Sequence, residues 1–324
     1  MKRMLALIMA VVLSGGVLGG CAKESAATAD RYTIGIVQHV DHPSLNEIRD
    51  SIVGELDGLD LEENIEISFH NANGDMNLLQ TIMQNLVGEG IDMIVPIATP
   101  TAQAARAATG EVPIVFSAVS NPVEAGLVKS FLETNENITG VSNSIPVKDI
   151  LELSQKLTPD VKTYGLVYNS SEINSATGIE KAKKYLDENG LLYKEVTITG
   201  TADLYQAVSS LVGEVDAFFT PNDNTVASAM PTYVQLATEA GIPIYVGADS
   251  MVADGGLATV GIDYTVLGEQ TARMVARIID GETSLENPVE QIAEYANIIN
   301  GDTANKLGIS IPQELEDEFV IVGE

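Results

Sequence analysis

The chain has 324 residues, enough for two domains of ordinary size, and 45% of them are hydrophobic, so material for buried cores is ample. Its formal net charge is −29 at pH 7. Such a surface lacks the cations that replace counterions on phosphates, which argues against nucleic acid and anionic membrane surfaces as partners.

The chain opens like a processing segment. Lys2 and Arg3 form a short basic head, and Met4 to Leu13 is an apolar core too short to span a bilayer. Leu18-Gly19-Gly20-Cys21 follows and resembles the bacterial lipobox. That resemblance implies cleavage before Cys21 and lipid attachment to its sulfur. Cys21 is the one cysteine of the chain, so no intramolecular disulfide is available. Residues 1–20 are therefore expected to be a lipoprotein signal peptide and 21–31 a lipidated tether. The mature protein is expected at the cell membrane, lipid-anchored on the extracytoplasmic side.

Tyr32 to Gln38 reads as the first strand and ends in a polar loop, His39 to Pro43. Ser44 with Glu47 has capping-box spacing, which predicts a helix start. Ile65 to His70 is a second strand, and Met76 to Val87 shows a helical apolar face. The apolar run Ile91 to Ile97 ends in Ala98-Thr99-Pro100, a small-residue helix spans Thr101 to Ala108, and a further run, Val112 to Phe116, ends in Ser117. Asn121-Pro122-Val123-Glu124 predicts another helix start. Val141 to Val147 reads as a crossing segment, and Asp149 to Leu157 as a helix.

Thr163 to Tyr168 then restarts the plan. Its polar tip is Asn169 to Ser175, followed by a helix from Ile179 to Glu188, a strand from Tyr193 to Ile198 and a helix from Asp203 to Leu211. From Val215 to Asp249 the order is again apolar run, polar tip, small-residue helix, then Ile242-Pro243-Ile244-Tyr245-Val246 and a second tip. Leu257 to Tyr264 is a strand and a crossing, Leu267 to Asp280 a helix, Ala293 to Ile299 a last strand, and Pro312 to Phe319 a terminal helix.

Short unalternating apolar runs divided by helices are the mark of parallel strands buried on both faces. Ligands of such sheets sit outside the carboxyl ends of the strands, where the polar tips lie. The expected fold class is α/β: two doubly wound domains with mostly parallel sheets, joined by crossing segments, with a ligand cleft between them. The expected lobes are 32–144 with 261–288, and 145–260 with 289–324.

This layout resembles the type I periplasmic-binding-protein fold. More closely, the chain resembles the ABC-transporter substrate-binding lipoproteins of the tryptophan/tyrosine-binding (TrpX-like) family. The resemblance rests on Gln38 with His42-Pro43-Ser44-Leu45, on Ala72-Asn73-Gly74-Asp75, on Ala98-Thr99-Pro100 and on the long run Val112 to Val128. Tyr168-Asn169-Ser170-Ser171-Glu172 with Asn174-Ser175, and Leu307-Gly308-Ile309-Ser310-Ile311-Pro312, extend it over the mature chain. Asn121 departs from it, standing where aspartate is expected. The resemblance implies an extracytoplasmic solute-binding protein of an ABC importer that closes about a hinge on an amino acid, best an aromatic one (tryptophan, phenylalanine or tyrosine). Its implied partners are that ligand, an ABC permease and the membrane through the lipid anchor, and it implies a monomer. The alternative is a lipoprotein that presents a different small solute to a signalling receptor.

An amino acid brings a carboxylate, an ammonium and a side chain. Thr99 with Pro100 behind it, and Ser117 with the amides after it, offer donors for the carboxylate. Asp223, Asp249 and Glu172 offer acceptors for the ammonium, or else cap helices. Asn169, Asn174 and Asn222 could bond ligand or hold turns. Gln38, His39 and His42 end the first strand, and His42 is a candidate cleft hydrogen-bonder. His39, Asp41 and His42 fall short of a closed four-ligand set, so no metal is expected, and no cofactor. Aromatic residues make up 5% and tryptophan is absent, which disfavours stacking on sugar rings. Tyr168, Phe116 and Tyr264 are candidate walls, though core packing is the commoner fate of such residues. No G-x-S-x-G, H-E-x-x-H or glycine-rich phosphate loop is present, so an enzyme is not expected.

Overall fold

The computed structural model describes residues 31–61, 64–292 and 295–323. The signal peptide and the Cys21 lipidation site lie outside the described residues, as does all of the tether except Arg31.

The unalternating apolar runs become strands covered on both faces. β1 (Tyr32–Gln38), β2 (Ile65–Asn71), β3 (Met93–Ile97), β4 (Ile114–Phe116) and β5 (Ile138–Ser142) form a first sheet in the order β5-β4-β3-β1-β2, every pair parallel. All five residues of β3 and of β5 are buried, because helices pack on either side. β6 (Thr163–Asn169), β7 (Leu192–Ile198), β8 (Ala217–Thr220), β9 (Ile244–Val246) and β10 (Ala258–Ile262) form a second sheet in the order β10-β9-β8-β6-β7, again parallel. β11 (Glu290–Gln291) then joins β5 at the edge of the first sheet. β12 (Tyr295–Asn300) pairs antiparallel with β10, and β13 (Val320–Val322) lies beside β12. The expected α/β architecture of two doubly wound, mostly parallel sheets with a cleft is what the chain forms.

The helices are α1 (Pro43–Gly58), α2 (Met76–Glu89), α3 (Thr99–Ala108), α4 (Val147–Leu157), α5 (Ile173–Glu188), α6 (Leu204–Leu211), α7 (Asn224–Ala227), α8 (Met230–Glu239), α9 (Asp249–Ala253), α10 (Tyr264–Ile279), α11 (Gly301–Leu307) and α12 (Gln313–Glu318). Among the described residues, no helix is long and apolar enough to cross a membrane. After β5 the chain leaves the first sheet through Asn143–Pro146 and enters α4, which packs on β9 and β10. It returns after β10, where α10 lies along α1 and against β4 and β5.

Three local expectations differ from the structure. The capping box at Asn121 makes only a turn: its side chain accepts from Glu124 N at 3.2 Å, but Gly126 at φ +74° redirects the chain before a helix can propagate. Helix α1 starts one residue before Ser44, with Pro43 in its first turn and His42 at the cap without a side-chain bond. Helix α5 starts at Ile173 rather than Ile179, so Asn174 and Ser175 lie in its first turn.

Candidate functional site

The carboxyl ends of β1, β3, β4, β8 and β9 converge on one narrow cavity between the two sheets, with about 20 Å³ of room for a water-sized group. From the first-sheet side it is lined by His42, Ser44, Leu45, Ala98, Thr99, Ala118 and Ser120. From the second-sheet side Asn174, Asn222, Asp223, Asn224, Ala227, Ala248 and Met251 line it, and Asn143 and Tyr264 close it where the chain crosses. Ala98 and Ala118 have φ of +80° and +58°. Left-handed backbone at a non-glycine residue costs about 1–3 kcal/mol and is held only by its surroundings. Here Ala98 N donates to Ser117 O at 3.0 Å, which ties the two strained tips together.

The second-sheet wall is rich in acceptors. Asp223 is 1% exposed and caps α7, accepting from Val226 N at 2.8 Å and from Asn169 N at 2.6 Å. Burial, and then the charge of Glu172, pushes its carboxyl up to about 7. Glu172 is also buried and accepts from Asn224 N, Asn224 Nδ2, Thr225 N, Thr225 Oγ1 and Asn174 Nδ2. Asn174 Nδ2 also reaches Asn222 O at 3.1 Å, so its amide orientation is fixed by acceptors on that side. Its Oδ1 is left buried with no partner. No lysine or arginine lines the cavity. A wall with a buried carboxylate and a partnerless carbonyl oxygen is complementary to a cationic donor such as an ammonium.

The opposite wall offers donors. Thr99, 2% exposed, opens α3, and its Oγ1 has no partner. The first amides of a helix are likewise left free by the helix itself and favour an anion. His42 is buried and its Nε2 lies 3.4 Å from Asn224 Oδ1 across the cleft. Burial holds its pKa down to about 4. Burial also lowers His39, against an opposing pull from Glu172.

Two further bonds bridge the sheets around the cavity: Ser44 Oγ to Ser250 Oγ at 2.5 Å, and Asn222 Nδ2 to Ser120 Oγ at 2.8 Å. Ser120 Oγ also donates to Asn143 Oδ1 at 3.1 Å. Tyr264 is buried, and its hydroxyl is raised by that burial and by Asp249, against hydrogen bonding from Asn143 and Ser44.

Of the residues expected from the sequence, the cavity brings together His42, Thr99, Asn174, Asn222 and Asp223. Glu172 stands behind this wall and holds Asn174 and Asn224 in place. Asn169 gives its backbone N–H to Asp223 and its side chain to Thr225. Asn169 and Glu172 line a separate crevice with His39. Gln38 is turned to Val40 O and Asn46 Oδ1, and Ser117 is bonded to Thr271 Oγ1 of α10 at 2.8 Å; neither lines the cavity. Asp249 also stands outside it, accepting from Ser250 N and pushed up to about 7 by burial, with Glu47 and Asp263 adding to the rise. Tyr168 bonds Glu195 and Phe116 is core, so of the three candidate walls Tyr264 alone lines the cavity. The sequence reading missed Ser120, Asn143 and Asn224, and took Ser44 only as a cap. Among the described residues, no group of three or more His, Cys, Asp or Glu is placed to hold a metal ion.

Residues 33–319 match the family model described as ABC transporter substrate binding protein. The chain belongs to that family. A tyrosine-binding protein of Clostridioides difficile (strain R20291) is 37% identical over 318 residues, covering 94% of this chain and 92% of that protein. Among solved structures, the ABC domain of Streptococcus pneumoniae in complex with L-Trp superposes with a TM-score of 0.87 at 37% identity, covering 90% of this chain and 99% of that one. The ligand-free, open structure of a Clostridium difficile substrate-binding protein with adhesive properties gives a TM-score of 0.69 at 38% identity, with the same coverage. Family membership agrees with the type I periplasmic-binding fold expected above.

Proposed function

We propose that this protein captures an amino acid with an aromatic side chain (tryptophan, phenylalanine or tyrosine) outside the cytoplasmic membrane and delivers it to an ABC permease. The observation that carries this reading is the pairing of walls around the cavity. Asp223 and the partnerless Asn174 Oδ1 await an ammonium, while the partnerless Thr99 Oγ1 at the start of α3 awaits a carboxylate. Leu45, Met251, Tyr264 and four alanines supply the apolar part of the lining and suit an apolar side chain. The names of the tyrosine-binding relative and of the L-Trp complex support an aromatic one.

Capture proceeds by hinge closure. The body built on the first sheet and the body built on the second turn about the crossing segments, and ligand completes the seam between them. The higher TM-score to the L-Trp complex than to the open relative, at nearly equal identity, supports reading the present arrangement as the closed one. The lipobox around Cys21 supports a lipid anchor, and the protein works as a monomer on that anchor. A micromolar site needs about −8 kcal/mol, within reach of one paired zwitterion and a buried ring.

A thermal-shift screen against all amino acids and a set of sugars tests the proposal. Ligand at a hundredfold its Kd stabilises by about 2.7 kcal/mol, a shift of several degrees at roughly 2–4 °C per kcal/mol. The expected result is a shift with aromatic amino acids; a shift with another solute alone would contradict the ligand assignment.

A further inference from the structure

The groups that the cavity leaves unspent are acceptors, with one exception. Glu172 and Asp223 are both buried, and among the described residues neither forms an ion pair. Instead they share the first amides of α7: Asn224 N and Thr225 N donate to Glu172, and Val226 N donates to Asp223. Two carboxylates thus stand within one turn, held by neutral dipoles and not by a cation, and buried charge of that kind is costly until a counter-charge arrives. Glu172 has both oxygens filled by five donors, so it contributes its charge alone. Asp223 lines the cavity, takes Val226 N on one oxygen and Asn169 N on the other, and keeps acceptor capacity besides its charge.

Two more acceptors line the cavity. Asn174 spends its Nδ2 on Glu172 and on Asn222 O, and its Oδ1 is buried without a partner. Asn224 likewise gives its Nδ2 to Glu172, so its Oδ1 faces His42 Nε2 and accepts. That places the imidazole hydrogen on Nε2, and His42 Nδ1, also buried without a partner, is a bare acceptor. An ammonium brings a positive charge and three N–H groups to a cavity that offers one carboxylate and two such acceptors. For a ligand carboxylate the same cavity leaves one partnerless side-chain donor, Thr99 Oγ1. No lysine or arginine lines it, and Pro100 has no N–H to add at the start of α3.

Resting on the amino-acid reading above, we infer that this site demands the ligand's ammonium and not its carboxylate, so that its ligands extend to primary amines that carry an aromatic group and no carboxylate. Phenethylamine, which is phenylalanine without its carboxylate, is a cation at neutral pH and meets the whole acceptor set. It leaves one neutral hydroxyl wanting, a loss of about 10- to 100-fold for a hydrogen bond to a charged group. Phenylpropionate, which is phenylalanine without its amino group, leaves both partnerless acceptors and the Asp223 carboxylate wanting and adds a further negative charge.

Sites built to hydrogen-bond a ligand group reject the analogue that lacks it by about 10⁴–10⁵, because their own buried polar atoms are then left unpaired. That penalty falls on the acid and not on the amine.

The test is titration calorimetry of the purified full chain at neutral pH with phenylalanine, phenethylamine and phenylpropionate, wild type against Thr99→Val. In the wild type phenethylamine is expected to bind more weakly than phenylalanine by no more than about a hundredfold, and phenylpropionate at least about a hundredfold more weakly than phenethylamine. Thr99→Val should leave phenethylamine within about threefold of wild type, because that ligand brings nothing for the hydroxyl to bond. A narrower margin between amine and acid overturns the inference. So does phenethylamine that binds more weakly than stated, or that loses as much affinity in Thr99→Val as phenylalanine does. If phenylalanine, tyrosine and tryptophan all fail to bind, the amino-acid reading falls and the inference with it, a result distinct from amino-acid binding in which the acid end decides.

Discussion

Thr99→Val separates a ligand contact from a structural role, because the first is read in binding and the second in the melting of the ligand-free protein. The hydroxyl of Thr99 is buried without a partner in the closed arrangement. Valine keeps the branched shape and replaces the hydroxyl with a methyl. In the open, ligand-free protein the hydroxyl meets water and caps no amide, so the Tm of stripped protein should move by less than about 2 °C. Once a carboxylate is bound, the same hydroxyl donates to a charged group, worth about 1.5–3 kcal/mol. Its loss should weaken binding by about 10- to 100-fold. The assay is a melting curve of protein stripped of ligand, paired with calorimetric titration of phenylalanine. A variant that melts lower and binds within about threefold of wild type would refute the reasoning, since it would make Thr99 a helix cap and nothing more.

Three other outcomes follow from the same geometry. His42 is lowered by burial from about 6.5 to about 4 in the closed arrangement, so closure must expel a proton from it as pH falls between those values, and affinity should weaken over that window. Calorimetry in two buffers of different ionisation enthalpy, compared between wild type and His42→Gln at about pH 5.5, inside that window, should show proton release that the variant lacks; equal proton exchange in the two would contradict the assignment. Ser120→Ala cuts the bond from Asn222 and strands the Asn143 carbonyl, so stopped-flow binding should show dissociation faster by about tenfold with association unchanged. Gly247→Ala would place a Cβ 2.4 Å from Asn222 N and 2.7 Å from Pro221 C. Forcing that strand tip aside should cost about 1–3 kcal/mol, read as a lower Tm, and should weaken binding by displacing Asn222.

The architecture was legible because it depends on local pattern. Runs such as Met93 to Ile97 are apolar at successive positions, and only strands covered on both faces need that. Thr99 and Asp223 were legible for a related reason: each ends an apolar run and starts a helix, which in this fold puts it at the cleft. Gln38 and Ser117 hold similar positions, yet face other neighbours, because the end of a strand does not by itself decide where a side chain points. Asn224, Ser120 and Asn143 could not be read from local sequence. Their roles arise when segments about 100 residues apart close on one another, as Ser120 and Asn222 do. Ser44 misled in a different way. Its spacing from Glu47 fits a capping box, but Pro43 starts the helix one residue earlier and frees Ser44 to bond Ser250.

The central claim is that an aromatic amino acid completes the seam and holds the two bodies closed. Small-angle scattering of the full chain, with and without phenylalanine at a concentration shown to saturate by calorimetry, measures that most directly. The account predicts a smaller radius of gyration with ligand, and a smaller change in Thr99→Val at the same ligand concentration. Saturation with no change in the radius of gyration would contradict closure as the means of capture.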